Sequence, residues 1–487
     1  MNTVNTGNIK QEESRLSPFR DQDERTEVVG LDIGTTKVVA IIGRKNQFGK
    51  VEILGYGKAV NRGVRSGVVV NLAETVKAIN EAVQKAEYNA KIKIKKVIVG
   101  IAGQHIRSIQ TSEYIMRDNP EEMISQEEID RLIEQVKKIQ VQPGEEIIHA
   151  LPQEFRVDDE GNLPEIPIGM AGTRLEANFH VVVGKVAAIK NLVRCVKMAK
   201  LEVVEVTLEP LASAESVLVD EEKEGGIVLI DIGGGTTDIA IFKNNIIRHT
   251  AIIPYGGNII TKDLANGISV LERSAEAIKV KYGSAWPAEN SETEVVAIKG
   301  LPGRPAVEIS LKNISRIIKA RVEEIIQMAD FEIKKYKELS SDNKLLGGIV
   351  LTGGGSELKH LPQLVSLITT MYTRIGRPVQ HLAGGTEEEL QSPVYATAVG
   401  LLLKGLAHKK NYEYYEYMDD EELQTENETV QSHPDEKNNS MESNAHIENE
   451  TEEQLKEDDT QAQKVTLQQR RKNGLYNALL KFLKNLE

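Results

Sequence analysis

Two stretches about two hundred residues apart repeat one chemical phrase. VGLDIGTT (29–36) and VLIDIGGGTTD (228–238) each run apolar residues into an aspartate, then glycine, then two threonines. Asp32, Gly34, Thr35 and Thr36 correspond to Asp231, Gly233, Thr236 and Thr237, the second copy carrying Gly234 and Gly235 in addition. Glycine permits positive φ and lets backbone amides approach a ligand, and successive amides in such a turn make a concave anion site to which hydroxyls add donors. An acid at the strand end cannot touch phosphate itself; its useful role is to hold a hydrated Mg²⁺ that neutralises the phosphates, which makes Asp32 and Asp231 the metal candidates. A third turn, Thr352 followed by Gly353, Gly354, Gly355 and Ser356, also follows an apolar strand and offers bare backbone to a nucleoside. Together these features imply a nucleotide with its metal, gripped between two related halves. Plain hairpin turns of a β-rich protein would explain one copy, but two copies and a third glycine turn in this order argue against that.

Each phrase lies between two apolar runs, so the glycine turns should join the strands of hairpins. This excludes the dinucleotide-binding GxGxxG, whose glycines open a helix, and the chain has no GxxxxGK[ST] P-loop. A second echo supports duplication. Glu209-Pro-Leu-Ala-Ser-Ala-Glu and Ser392-Pro-Val-Tyr-Ala-Thr-Ala-Val-Gly both begin helices with proline near the first turn and continue with small residues suited to close contact. Glu209 is the catalytic candidate: it could orient a water towards a γ-phosphate, or it could simply stabilise a helix N-terminus.

Around these motifs, strands and helices alternate from Val28 to about Lys404, an α/β pattern. From about 108 to 185 a helix at SQEEIDRLIEQVKKI flanked by strand-like ALPQEFRVD and NFHVVVGKV reads as an inserted α+β domain. A polar insertion (284–310), a long helix, the GGIVLTGGGS strand and a terminal helix complete the body. The net charge of −13 misleads as an average: residues 413–460 hold 18 Asp and Glu against Lys437 and Lys456, so the rest is at about +3 and has no nucleic-acid stripe. Residues 406–464, polar and without periodicity, should be disordered. Cys195 is the only cysteine; it sits in an amphipathic stretch and reads as core packing, which with the absence of any possible internal disulfide suggests a reducing cytosol. The polar first 26 residues lack the apolar core of a secretory signal, and no run reaches the roughly 20 apolar residues of a membrane span.

The last residues, RRKNGLYNALLKFLKNLE (470–487), regain a pattern. Leu475, Leu479, Phe482, Leu483 and Leu486 form one helical stripe, with lysines opposite and three cations leading in. That suits an anionic membrane surface, the alternative being a helix docked on the body or on a partner.

These residues resemble the actin, hexokinase and Hsp70 superfamily of ATPases. LDIGTTKV is similar to its first phosphate motif, IDIGGGTTDIA to its second and LTGGGS to its adenosine motif, with EPLASAE and SPVYATAVG as connecting helices. Within it, IPYGGNIITKDLA, SAEAIKVKYG and RSGVVVNLAETVKAI are similar to the bacterial cell-division FtsA family, over roughly residues 27–405. The resemblance implies a duplicated actin-like ATPase fold with two halves around a nucleotide cleft. Phosphate contacts would come from Gly34, Thr35, Thr36 and Lys37 and, opposite, from Gly233, Gly234, Gly235, Thr236 and Thr237. Glu276 and Lys279 would line the adenosine pocket with Gly353, Gly354, Gly355 and Ser356. It implies ATP and Mg²⁺ as ligands with at most slow hydrolysis, and polymerisation into filaments. It also implies capture of the C-terminal peptide of FtsZ, recruitment of other division proteins, and a peripheral place on the cytoplasmic face of the cell membrane at the septum. The implied division is 1–26 as an extension; 27–107 and 188–226 as subdomain 1A, completed by 392–405; and 108–187 as the insertion 1C. Residues 227–257 and 346–391 would form 2A and 258–345 2B, followed by the linker 406–464 and the membrane helix 465–487. The N-terminal extension and the acidic linker are long for that family.

Rival readings share the cleft. A small-molecule kinase would need a general base aimed at a bound hydroxyl, and only Glu209 offers itself. An Hsp70-like chaperone would need a β-rich domain after the ATPase, and a DNA-segregating filament a basic partner surface.

Overall fold

The computed structural model describes residues 27–407, apart from 159, 160, 162, 164, 292, 299–305, 341 and 342, together with the backbone of Tyr415–Tyr417. The first apolar run is strand β1 (Val28–Ile33), with every residue buried; the turn at 34–36 reverses it into β2 (Lys37–Lys45), and β3 (Val51–Val60) follows. Helix α1 (Leu72–Ala90), capped by the Asn71 side chain on the Glu74 amide, leads to β4 (Lys96–Ile101). The chain then leaves the sheet through β5 (Ile106–Met116), α2 (Gln126–Val136), β6 (Glu145–Val157) and β7 (Arg174–Lys185). It returns along α3 (Val186–Met198) to β8 (Glu202–Leu208), which runs without a loop into α4 (Glu209–Val217).

The same plan then repeats. β9 (Ile227–Ile232) turns back into β10 (Thr237–Lys243) and β11 (Ile246–Ile253), followed by α5 (Gly257–Gly267), α6 (Glu272–Tyr282) and the 29-residue α7 (Leu311–Leu339). β12 (Gly348–Thr352), α8 (Leu361–Thr369) and β13 (Thr373–Ile375) close the second sheet, and α9 (Ala396–Leu406) ends the body. The sheet orders are β3-β2-β1-β4-β8 and β11-β10-β9-β12-β13. Each half therefore has its third strand at one edge, then the second, first, fourth and fifth. The duplication inferred from two short phrases extends to whole sheets. β1 and β9 read as unbroken apolar runs because both faces of a central strand are covered.

The first core closes only with the last helix of the body. Ala398, Val399, Leu401 and Leu402 of α9 are fully buried with Val28, Leu31 and Ile41 of the first sheet, and Cys195 is buried there too, as its surroundings imply. α9 crosses α4 so closely that a Cβ at Gly400 would lie 1.8 Å from the Ala212 carbonyl oxygen. Between β13 and α9 the chain lies along the outer strand of the first sheet, where Val51 donates to the His381 carbonyl and accepts from Ala383, both at 2.8 Å.

The insertion is an antiparallel sheet, β5-β7-β6, with α2 packed on it. Its helix starts at a capping box of Ser125 and Glu128, and the buried Arg117 ties that start to the Glu128 carboxylate (2.8 Å) and the Gly172 carbonyl (2.7 Å). Two regions carry strands that the sequence reading did not name, the second against its expectation. The polar insertion contains a short hairpin, Val295–Ile298 with Val307–Ser310. Tyr415–Tyr417, inside the stretch expected to lack structure, forms a strand antiparallel to Ile92–Ile94; tyrosine favours strands, and a free strand edge offers it a ladder. The N-terminal extension, nearly all of the acidic segment and the apolar stripe Leu475–Leu486 lie outside the described residues. No helix among the described residues is long and apolar enough to cross a membrane.

The helix crossing is testable. Gly400→Val should lower unfolding stability by on the order of 3 kcal/mol, since neither backbone can retreat, measured as a shift in the urea midpoint. An unchanged midpoint would mean that the helices stand further apart.

Candidate nucleotide cleft

The two phrases meet. Amides of Gly34 and Gly233 close their turns on the carbonyls of Lys37 and Thr236, both at 3.0 Å, so the turns are of equal length. Gly234 and Gly235 stand where the first turn has Thr35 and Thr36, and are not additional to it, while Thr236 and Thr237 match Lys37 and Val38. They face each other tip to tip: a Cβ on Gly234 would come within 2.3 Å of Thr36 Cγ2, and one on Gly235 within 2.5 Å of Thr35 Oγ1. Around this meeting point is a cavity of about 260 Å³, lined by Asp32, both turns, Glu209, Asp231, Asp238, Lys279 and the Gly353–Gly355 turn. Gly353 has φ +77° and its missing Cβ is the space taken by Asp231, whose Oδ1 would stand 2.2 Å away. A side chain there would displace the acid.

Five acids line the cleft with three lysines, Lys37, Lys279 and Lys359; Glu357 is exposed, and the carboxyls of Asp32, Glu209, Asp231 and Asp238 are buried. Burial raises the Asp32 carboxyl above its ordinary range; Lys37, with Nζ at 3.9 Å, opposes this, and Asp231 reinforces it. Asp231 is also raised by burial, opposed chiefly by the Ser213 hydroxyl, which donates to Oδ2 at 2.7 Å, with Thr397 Oγ1 at 3.4 Å. Glu209 is raised well above the carboxylate range, first by burial and then by the charges of Asp32, Asp238 and Asp231. Asp238 is pushed to about 8 by burial and by Asp231. Its Oδ2 accepts from Thr236 at 3.0 Å, while its buried Oδ1 has no hydrogen-bond partner. Lys37 holds the Val394 carbonyl besides facing Asp32. The site is short of positive charge, which is what a cation with its ligand would supply. Among the described residues no three acids, histidines or cysteines are grouped to form a metal centre of protein ligands alone.

Most of the expected residues line the cavity, and three stand behind its wall. Thr237, fully buried, donates to the Tyr255 carbonyl at 2.8 Å. Ser356, also fully buried, donates to the Gly353 carbonyl at 2.7 Å and braces that turn. Glu276 accepts from Thr261 and pairs with Lys279 at 2.7 Å, so it aims the lysine, which also reaches the Gly257 carbonyl at 3.0 Å. Glu209 does sit at the start of a helix, as its plainer reading required, and also lines the cleft.

The sequence motifs did not single out Asp238, Thr397 or the start of α5. Asp238 ends the repeated phrase, and hairpin register places it directly opposite Asp231. The amides of Gly257 and Asn258 donate to the carbonyls of Gly233 and Gly234 at 2.8 Å, holding the second turn from below.

Comparison with known proteins gives the family of the sequence and the likeness of the fold. Residues 228–400 match the family described as "Cell division protein FtsA", and residues 103–183 match "SHS2 domain inserted in FTSA". Relatives described as cell division protein FtsA include that of Neisseria meningitidis, 40% identical over 76% of this chain and 88% of its own. That of Pseudomonas aeruginosa is 38% identical over 78% and 89%. Among solved structures, a PilM–PilN type IV pilus biogenesis complex superposes with a TM-score of 0.57 at 17% identity, covering 79% of this chain and 100% of that one, a likeness of fold.

Asp238 gives the nucleotide-free protein a definite pH response. Its folded value of about 8 lies above the ordinary 3.8. Between these the folded state keeps a proton that the unfolded state has released, so stability falls as pH rises through that window. Melting temperature should drop between about pH 5 and pH 8, and the drop should be shallower in Asp238→Asn. Equal slopes would show that Asp238 is ionised throughout.

Proposed function

Because the chain belongs to the FtsA family of cell division proteins, we propose that it binds Mg-ATP in this cleft and polymerises on the inner face of the cytoplasmic membrane. The observation that carries the proposal is the pair of matching turns set face to face, with Lys37 and an excess of buried acid between the halves. Amides and hydroxyls of the turns at 34–36 and 233–236 would hold the phosphates. Asp32 and Asp231 would hold Mg²⁺ through water, as the donor set permits, and the metal would neutralise phosphate charge. The Gly353–Gly355 turn and Lys279 would hold the nucleoside, with Ser356 and Glu276 as supports. Glu209 would orient water, and hydrolysis would be slow at most; the nucleotide acts mainly as a structural ligand that closes the cleft.

On this reading the halves are subdomains 1A (27–107, 188–226, 392–405) and 2A (227–257, 346–391), with 2B at 258–345 and the insertion 1C at 108–187. Subdomain 2B would capture the C-terminal peptide of FtsZ, and 1C would help recruit later division proteins. The stripe Leu475, Leu479, Phe482, Leu483 and Leu486 would lie in the membrane surface. A single such helix binds reversibly, and a filament carrying many would bind by their combined avidity. Such a protein tethers the FtsZ ring to the membrane at the septum.

Two measurements test this. Lys37→Ala should weaken Mg-ATP binding about ten-fold or more, the effect of removing one charge-assisted contact, read by equilibrium titration; unchanged affinity would remove Lys37 from the phosphate site. With Mg-ATP, the full chain should sediment with anionic vesicles, and a chain ending at Gln463 should remain in solution. Equal behaviour of the two would end the membrane reading.

A further inference from the structure

The insertion is attached covalently to the first half only, yet it touches both. β8 is one edge strand of the first sheet, opposite β3, and β11 is one edge strand of the second, and the inserted sheet packs against both. On the first side, His149 of β6 accepts a hydrogen bond from the Leu208 amide at its Nε2, 3.0 Å away. Leu208 is the last residue of β8, and the next residue is Glu209, the acid at the mouth of α4. Glu209 packs against the backbone at Gly100, where a Cβ would lie 3.0 Å from its Cγ, so the Leu208 backbone and a single glycine-sized space fix where the carboxyl points. Burial, and then the charge of Lys404, hold His149 down to about 4, so its ring is neutral and can accept.

On the second side, the fully buried His180 of β7 joins Gln110 Nε2 through Nδ1 and Thr250 Oγ1 through Nε2, both at 3.0 Å. Ser108 donates to the Thr250 carbonyl at 3.3 Å, and Arg248 meets Glu154 at 3.0 Å. Thr250 and Arg248 belong to β11. The far end of β11 pairs with Thr237, and the segment after it receives Thr237 through Tyr255 and supports the 233–236 turn through Gly257 and Asn258. The first attachment lies one residue from Glu209, and the second reaches the 233–236 turn along the rest of β11 and the segment after it, on the opposite wall.

We propose that the inserted domain is a strut across the cleft: seated on Leu208 and on Thr250, it sets the spacing of Glu209 and the second phosphate turn. His149 is then a positioning residue acting through the backbone before Glu209. The proposal rests on the nucleotide reading of the cleft. Occupancy of the cleft and seating of the insertion become one equilibrium, and by linkage each must favour the other equally. Anything that grips the insertion from outside would in this way tune the cleft without entering it.

The test uses the full chain, with a fluorescent ATP analogue and hydrogen exchange as readouts. In the wild type, Mg-ATP should slow amide exchange in 110–116 and 176–184, which lie outside the cavity lining. His149→Leu and Thr250→Val should each weaken analogue binding about five-fold, a modest site-to-site coupling, and abolish that remote protection. His149→Gln, which restores an acceptor, should recover most of both. A merely structural histidine would lower stability without erasing nucleotide-dependent protection, and Thr250→Val tests the other seat should His149→Leu fail to fold. Folded variants that bind the analogue as the wild type does and keep the protection would overturn the strut. A wild-type chain that binds no Mg-ATP would overturn the nucleotide reading, and the strut with it.

Discussion

One hydroxyl joins three parts of the molecule. Ser213 Oγ, on the helix that leaves the first sheet, donates to Asp231 at the end of the second sheet's first strand. It lies 3.0 Å from Thr397 Oγ1, on the helix that returns at the end of the body. Three residues on, Ser216 reaches the Ala396 carbonyl at 2.7 Å. These contacts exist only because small residues let α4 and α9 approach to backbone distance at Ala212 and Gly400. Larger side chains would separate the helices, withdraw the hydroxyl, and leave Asp231 buried without its strongest stabilising partner. The spacing of the cleft walls follows from that crossing.

The charge arrangement follows in turn. Buried carboxyls normally come paired with cations, yet of the five acids on this cavity four are buried, and Lys37, beside Asp32, divides its ammonium between that carboxyl and the Val394 carbonyl. The folded state bears this cost at the place where ligand would remove it. Such stored electrostatic stress is a usual mark of a site shaped for an occupant and not for its own stability.

What was legible in the chain was local chemistry. Acid, glycine and hydroxyl occur within eight residues of each other, so both facing turns and the Gly353–Gly355 turn could be read directly, as could the insertion, from its change of pattern. What was not legible was facing. Thr236 and Thr237 are neighbours of identical type, and only strand register sends one towards the cleft and the other to the Tyr255 carbonyl. Asp238 needed its pairing with Asp231 to become a site residue, because nothing about an aspartate after two threonines says what lies across the ladder. Glu276 and Ser356 carry the right chemistry one layer back, where they orient other groups. The strand at Tyr415–Tyr417 was hidden by acidic neighbours, since composition averages over a window wider than three residues.

The placement of α9 has a consequence for how the protein is made. Its buried face completes a core begun at Val28, with Gly405 packed against the Val28 side chain and Gly30 against the Ala398 carbonyl. Ribosomes deliver the chain from its N-terminus, at about 5–20 residues per second. The first sheet therefore waits tens of seconds, its apolar surface partly bare, while a whole second sheet with its own core is synthesised and can already close. The half that is translated first is the half that is finished last.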